Sequence, residues 1–140
     1  MASPSENTTP LGEWVDHIIY LTFFQPNDEL SEQTIEASFS RDLKVRINGT
    51  ALTYEDYKNA IAKNRAQYEF SVESNRELLA SREPSEASNS GGSVAHISTF
   101  TVKDKQSGVV KRESTVTLAT VASVDGKRML LELTEVYRSA

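Results

Sequence analysis

The last third of the chain constrains the fold most. "SVAHISTFTVKD", "GVVKRESTVTLATVAS" and "GKRMLLELTEVYRS" follow one another, linked through "DKQSG" and "VDG". Each is long and rich in β-branched residues, and each reads as a strand. Strands joined by turns this short must run antiparallel. "YEFSVESNRELLAS" alternates in the same way, with Tyr68, Phe70 and Val72 on one side. Between it and the meander lies "REPSEASNSGG" (82–92), whose Ser, Gly, Pro and Glu content predicts a mobile surface loop.

The first half is helical in pattern. Residues 11–24 place Leu11, Trp14, Val15, Ile18, Leu21 and Thr22 on one face, with Glu13, His17, Tyr20 and Phe24 on a second stripe. "QPND" breaks this helix, and Ser31 or Asp28 is placed to cap a second one running to about Ser40. "DLKVRING" alternates Leu43, Val45 and Ile47 against Lys44 and Arg46, then turns at Asn48-Gly49. Thr53 caps a third helix, with Glu55 and Asp56 in its first turn. The order is helix, helix, strand, helix and four strands, with no internal repeat. It predicts an α+β domain: a curved antiparallel sheet with three helices on one face, forming a cone with a hollow end. Residues 1–10 read as a flexible tail and 11–138 as a single domain.

Composition narrows the function classes. The 140 residues carry a formal net charge of -5, with the basic residues scattered. That disfavours nucleic acid and anionic membranes as partners, since both need clustered Lys and Arg. Without cysteine there is no disulfide, thiolate metal site or Cys nucleophile. No apolar run approaches the roughly 20 residues that span a bilayer. The polar start lacks a signal-peptide layout, so a cytoplasmic location is expected. Of the two sequons, at Asn7 and Asn48, the second is better read as a turn.

Two phrases carry a family resemblance. "FSRDLKVRINGTALTYEDYKNAI" resembles the strand, turn and third-helix passage of the nuclear transport factor 2-like superfamily, and "VASVDGKRMLLELTEVYR" resembles its closing hairpin. The likeness is to the SnoaL-like and ketosteroid isomerase-like branch and covers about residues 11–138. It implies a pocket in the open end of the cone for a small apolar molecule, and homodimers through the outer sheet face. Members include cofactor-independent isomerases, cyclases, dehydratases and hydrolases; others are non-catalytic dimerisation or partner-binding modules. The steroid isomerase constellation is not complete here. Tyr20 stands at the tyrosine position, but the two carboxyl positions fall at about Ile47 and Thr117. Isoleucine cannot take a proton.

The remaining candidates come from the residues. His17 and His96 are the only histidines, and histidine suits proton transfer near neutrality. His96 shares its strand face with Val94, Ser98, Phe100 and Val102, a mixed face that suits a pocket wall. On the last strand Glu132 sides with Leu130, Thr134 and Val136, while Glu135 sides with Leu131, Leu133 and Tyr137. One of the two lines the pocket and the other pairs with Arg112, Arg128 or Arg138. The catalytic candidates are therefore His96 or Glu132 as base, with His17 or Tyr20 as donor. Trp14, Tyr57, Phe100 and Arg46 are the ligand-binding candidates. No metal or cofactor is expected: no HxH, HxxxH or HExxH spacing, phosphate-cradling loop or dinucleotide fingerprint occurs. An interior filled by Trp14, Leu21 and Phe100 would leave no site, and the non-catalytic reading would stand.

Overall fold

The structure, a computed structural model, describes residues 9–81 and 91–139. Most of the expected tail and loop therefore lies outside the described residues. Helix α1 (Pro10–Ile19) starts at Thr9, whose hydroxyl accepts from the Gly12 N–H at 3.0 Å. It buries Leu11, Val15 and Ile18, then widens into a π-helical turn over Tyr20–Phe24. Helix α2 (Asp28–Ser38) is capped by Asn27, not by Ser31 or Asp28. The Asn27 carboxamide accepts from the N–H groups of Glu29 and Leu30. Ser31 is buried instead and donates to the Thr22 carbonyl. Helix α3 (Tyr54–Gln67) opens with the expected Thr53 cap, closed into a reciprocal box by Asp56.

Six strands form one sheet: β1 (Phe39–Ile47), β2 (Thr50–Leu52), β3 (Tyr68–Ala80), β4 (Gly91–Asp104), β5 (Val110–Val124) and β6 (Lys127–Ser139). Their order is β2-β1-β6-β5-β4-β3. The meander β3 to β6 is antiparallel, as its short turns require, but β1 joins β6 in parallel. The short β2 follows from the Asn48-Gly49 turn. Both residues take positive φ (47° and 87°), the geometry that lets a two-residue hairpin follow strand twist. The Asn48 side chain also exchanges two hydrogen bonds with the Tyr137 backbone, and its N–H donates to the Glu135 carbonyl. That turn therefore fixes the end of β6.

The helices cover the concave face. Phe39, Leu130 and Leu133 are fully buried there, with Val15, Ile35, Val45 and Ile61 around them. Shifts in the pairings of β3 with β4 and β5 with β6 mark β-bulges, which bend the sheet around this core. No described helix is long and apolar enough to cross a membrane.

Arg65 of α3 ties the helices together. Its buried guanidinium donates to the carbonyls of Thr22 (3.0 Å) and Gln25 (2.9 Å) and to Asp28 Oδ1 (2.8 Å). The carbonyls at the end of the π turn, which no helix continues, are satisfied this way. Arg65→Met would leave the Gln25 carbonyl unpaired, at about 1–3 kcal/mol, and the Thr22 carbonyl with the Ser31 hydroxyl alone. Urea unfolding should show a loss of about 2–4 kcal/mol. Breaking the more exposed Lys58–Glu36 pair should cost under about 1 kcal/mol. Equal losses from the two changes would contradict this role for Arg65.

Candidate active site

Between the helices and the sheet lies a cavity of about 640 Å³. Phe23 and Phe24 of the π turn, Tyr57 and Ile61 of α3, and Phe70 and Phe100 of the sheet form much of its wall. A smaller compartment of about 180 Å³ adjoins it, lined by Asp16, Tyr20, Asn75 and His96 among others. Ile19, Phe24, Ser98 and Thr117 line both spaces. Phe24 meets Phe100 edge-on, with ring centroids 5.7 Å apart. The π turn lets consecutive phenylalanines both reach this wall: more residues per turn means a smaller angle between neighbouring side chains.

One row of paired residues crosses the sheet at the site. Ile47 on β1 pairs with Glu135 on β6, Glu135 with Thr117 on β5, and Thr117 with His96 on β4. His96 and Glu135 are thus two strands apart, roughly 10 Å between their backbones. His96 is buried, at 4% exposure. Its Nδ1 lies 2.7 Å from Asp16 Oδ1, so Nδ1–H donates to the carboxylate. A neutral ring held this way keeps its lone pair on Nε2. Nε2 is buried and has no protein partner among the described residues.

Glu135 lines the large cavity, and its carboxyl makes no side-chain hydrogen bond among the described residues. It is half-buried, and the protein around it excludes bulk water. That desolvation raises its pKa from 4.5 to about 7. Tyr57 lines the same cavity, and its hydroxyl is buried without a partner among the described residues. Burial, and secondarily the charge of Glu135, hold the phenol well above its ordinary pKa, so it stays protonated.

The predicted residues divide. His96, Tyr57 and Phe100 line the cavities, and Tyr20 borders the small one while remaining 45% exposed. Glu132 does not line either space; it is exposed, and Glu135 takes the inward place. The cause is the β6 bulge: Thr120 pairs with Glu132 but Val121 with Leu130, leaving Leu131 extra. Beyond it the facing inverts, and Leu133, Glu135 and Tyr137 turn inward. His17 is exposed and lines neither space. Asp16, one residue earlier, takes the inward position, with Tyr20 one turn on. Trp14 packs at the edge of the core under the Arg128 guanidinium, away from both cavities. Arg46 is exposed and donates to the Gly49 carbonyl. Asp16 is the group missed, and of the pair Glu132 and Glu135 the sequence reading selects the outward-facing member. The 16, 19/20, 23 spacing along the helix was the available signal for Asp16; nothing in the alternation of β6 marks the bulge. Among the described residues, no group of three or more His, Asp or Glu is arranged to hold a metal.

No family model matches the sequence, and no curated protein does. Solved structures do match. A conserved protein from Planctomyces limnophilus superposes with a TM-score of 0.74 at 10% identity, covering 90% of this chain and 94% of that one. A proposed scytalone dehydratase from Novosphingobium aromaticivorans gives 0.65 at 13% identity, over 90% and 81%. A ketosteroid isomerase-like protein from Erwinia carotovora atroseptica gives 0.62 at 13% identity, over 78% and 82%. Others are described as NTF2-like, and one as cystatin-like in fold. The chain has the NTF2-like fold. Within that fold, Ile47 and Thr117 both line the cavity, at the positions where the steroid isomerase resemblance placed carboxyls. The carboxyl here is on the strand between them, at Glu135.

A carboxyl held at about 7 makes stability fall with pH. Between 4.5 and about 7 the unfolded chain has released this proton while the folded chain retains it. Stability therefore declines through that window, by on the order of 3 kcal/mol in full. Glu135→Gln should flatten the decline and leave the variant more stable than the parent near pH 8, measured by urea midpoints. Parallel profiles for the two proteins would contradict the assignment.

Proposed function

We propose that this chain binds a small, largely apolar molecule in the joined cavity and acts on it by acid–base chemistry. The reaction class is isomerisation, cyclisation or dehydration, with His96 Nε2 as the base. The supporting observation is the His96–Asp16 pair. Asp16 fixes the imidazole through Nδ1, His96 lines the smaller compartment, and Nε2 is buried and unpartnered among the described residues. A base so placed takes a proton from a carbon next to a carbonyl, and Asp16 stabilises the imidazolium that forms. Tyr20, on the same compartment wall, supplies a hydroxyl for the developing oxyanion. The isomerase-like and dehydratase-like neighbours fit this class. The space left beside Phe100 favours this reading over a purely non-catalytic module.

The outer sheet face serves as the contact with a second copy. Ala95 pairs with Leu118, and Ile97, Val116 and Val136 form the next row. Leu118 is 51% exposed and Val136 63%. A continuous apolar face of this kind on an isolated chain marks an association surface.

Proton exchange tests the chemistry without knowledge of the natural substrate. In D2O the parent protein should accelerate α-proton exchange of 2-tetralone, followed by NMR. His96→Gln should lower that rate by roughly 10²–10⁴-fold, with ketone affinity changed little. Asp16→Asn should lose most of the rate as well. Exchange no faster than in buffer, or unaffected by His96→Gln, would defeat the proposed base. Separately, sedimentation should show a dimer that Leu118→Arg with Val136→Arg converts to a monomer; a monomeric parent would remove the interface.

A further inference from the structure

We propose that the Glu135–Tyr57 end of the large cavity is a binding site for an organic ammonium group carried on an aromatic or alicyclic ligand. This rests on the cavity being a ligand site and names the class of ligand it takes.

The lining is acidic as well as aromatic. Glu135 and Tyr57 face one another's space from β6 and α3. From β5 come Thr117, Glu113 and Lys111; from β4, Asp104, with His96 beyond Thr117; from β3, Tyr68; from β6 itself, Tyr137; and from β1, only Ile47. The carboxyls outnumber the single cation, Lys111, which is exposed. Asp104 is held ionised by the N–H groups of Ser107 and Gln106, which lower its pKa. An anionic ligand would meet repulsion from several sides, whereas a cation would meet none near Glu135.

Around these carboxyls the rings form a continuous wall. Phe23, Phe70 and Phe100 follow at centroid separations of 6.1 and 6.3 Å, and Tyr57 and Tyr68 flank them at 6.5 and 6.4 Å. An aromatic enclosure closed by a carboxylate is the chemistry that selects alkylammonium groups over hydrated metal ions. The Tyr57 hydroxyl is the second, independent sign. Tyr57 lines the cavity at 3% exposure, and its hydroxyl is buried with no partner among the described residues. A buried hydroxyl is normally satisfied. An ammonium charge set against Glu135 would pair that carboxylate, with its polarised C–H groups toward the phenol and the ring faces.

The test is calorimetric titration of the full chain with benzyltrimethylammonium, whose charge does not depend on pH, and with its uncharged isostere neopentylbenzene. Near pH 8 the ammonium should bind more tightly than the isostere. Because Glu135 must ionise to receive it, its affinity should fall at least about ten-fold near pH 5.5. Glu135→Gln should abolish that pH dependence, with folding checked by circular dichroism. If the isostere binds as tightly at both pH values, the ammonium assignment is overturned while the apolar cavity reading stands. Ammonium binding that ignores both pH and Glu135→Gln overturns it too. If neither compound binds, the ligand-site reading fails with it.

Discussion

The buried guanidinium of Arg65 is the contact on which the arrangement of helices depends. A π-helical turn at the end of α1 leaves carbonyls with no helix to accept from, and a chain reversal follows at once. Arg65 reaches from α3 and satisfies Thr22 and Gln25 in one plane, with Asp28 beside it. Ser31 adds a second donor to Thr22. Arg65 thereby fixes three helical elements against one another through polar contacts that do not involve the sheet. The consequence is functional: Phe23 and Phe24 are held out along the cavity wall instead of collapsing into it.

The sheet contributes the complementary constraint. A single extra residue at Leu131 decides which carboxylate of β6 faces the helices. With it, Ile47, Glu135, Thr117 and His96 lie in one row, and a ligand lying along that row meets a desolvated carboxyl at one end and an oriented imidazole at the other. The cost of that placement falls on Glu135. Burial disfavours its charge, while Asn48 anchors the strand at the Glu135 carbonyl and at Tyr137. Sites that bind or react commonly carry such a local penalty.

Much of the scaffold was legible in the residues themselves. The strands of the meander, the Thr53 cap and the Asn48-Gly49 turn are local signals, and local physics suffices to read them. The parallel joint of β1 with β6 is not local: it unites segments more than 80 residues apart, and no turn announces it. Cavity lining was legible at His96 and Phe100 from strand alternation and at Tyr57 from its helix face. Glu132 and Glu135 were exchanged because a bulge leaves no mark in an apolar–polar pattern. His17 and Asp16 were exchanged because the wheel ranks apolar stripes, and the cavity-facing stripe of α1 is mixed.

The central claim is that Glu135, and not Glu132, stands in a water-poor cavity opposite Tyr57. Carboxyl-¹³C NMR of the ligand-free protein across pH tests it most directly. The account predicts that the Glu135 resonance titrates with a midpoint of about 7. A midpoint near the ordinary 4.5 would place that carboxyl in solvent and contradict the facing of β6 on which the site is built.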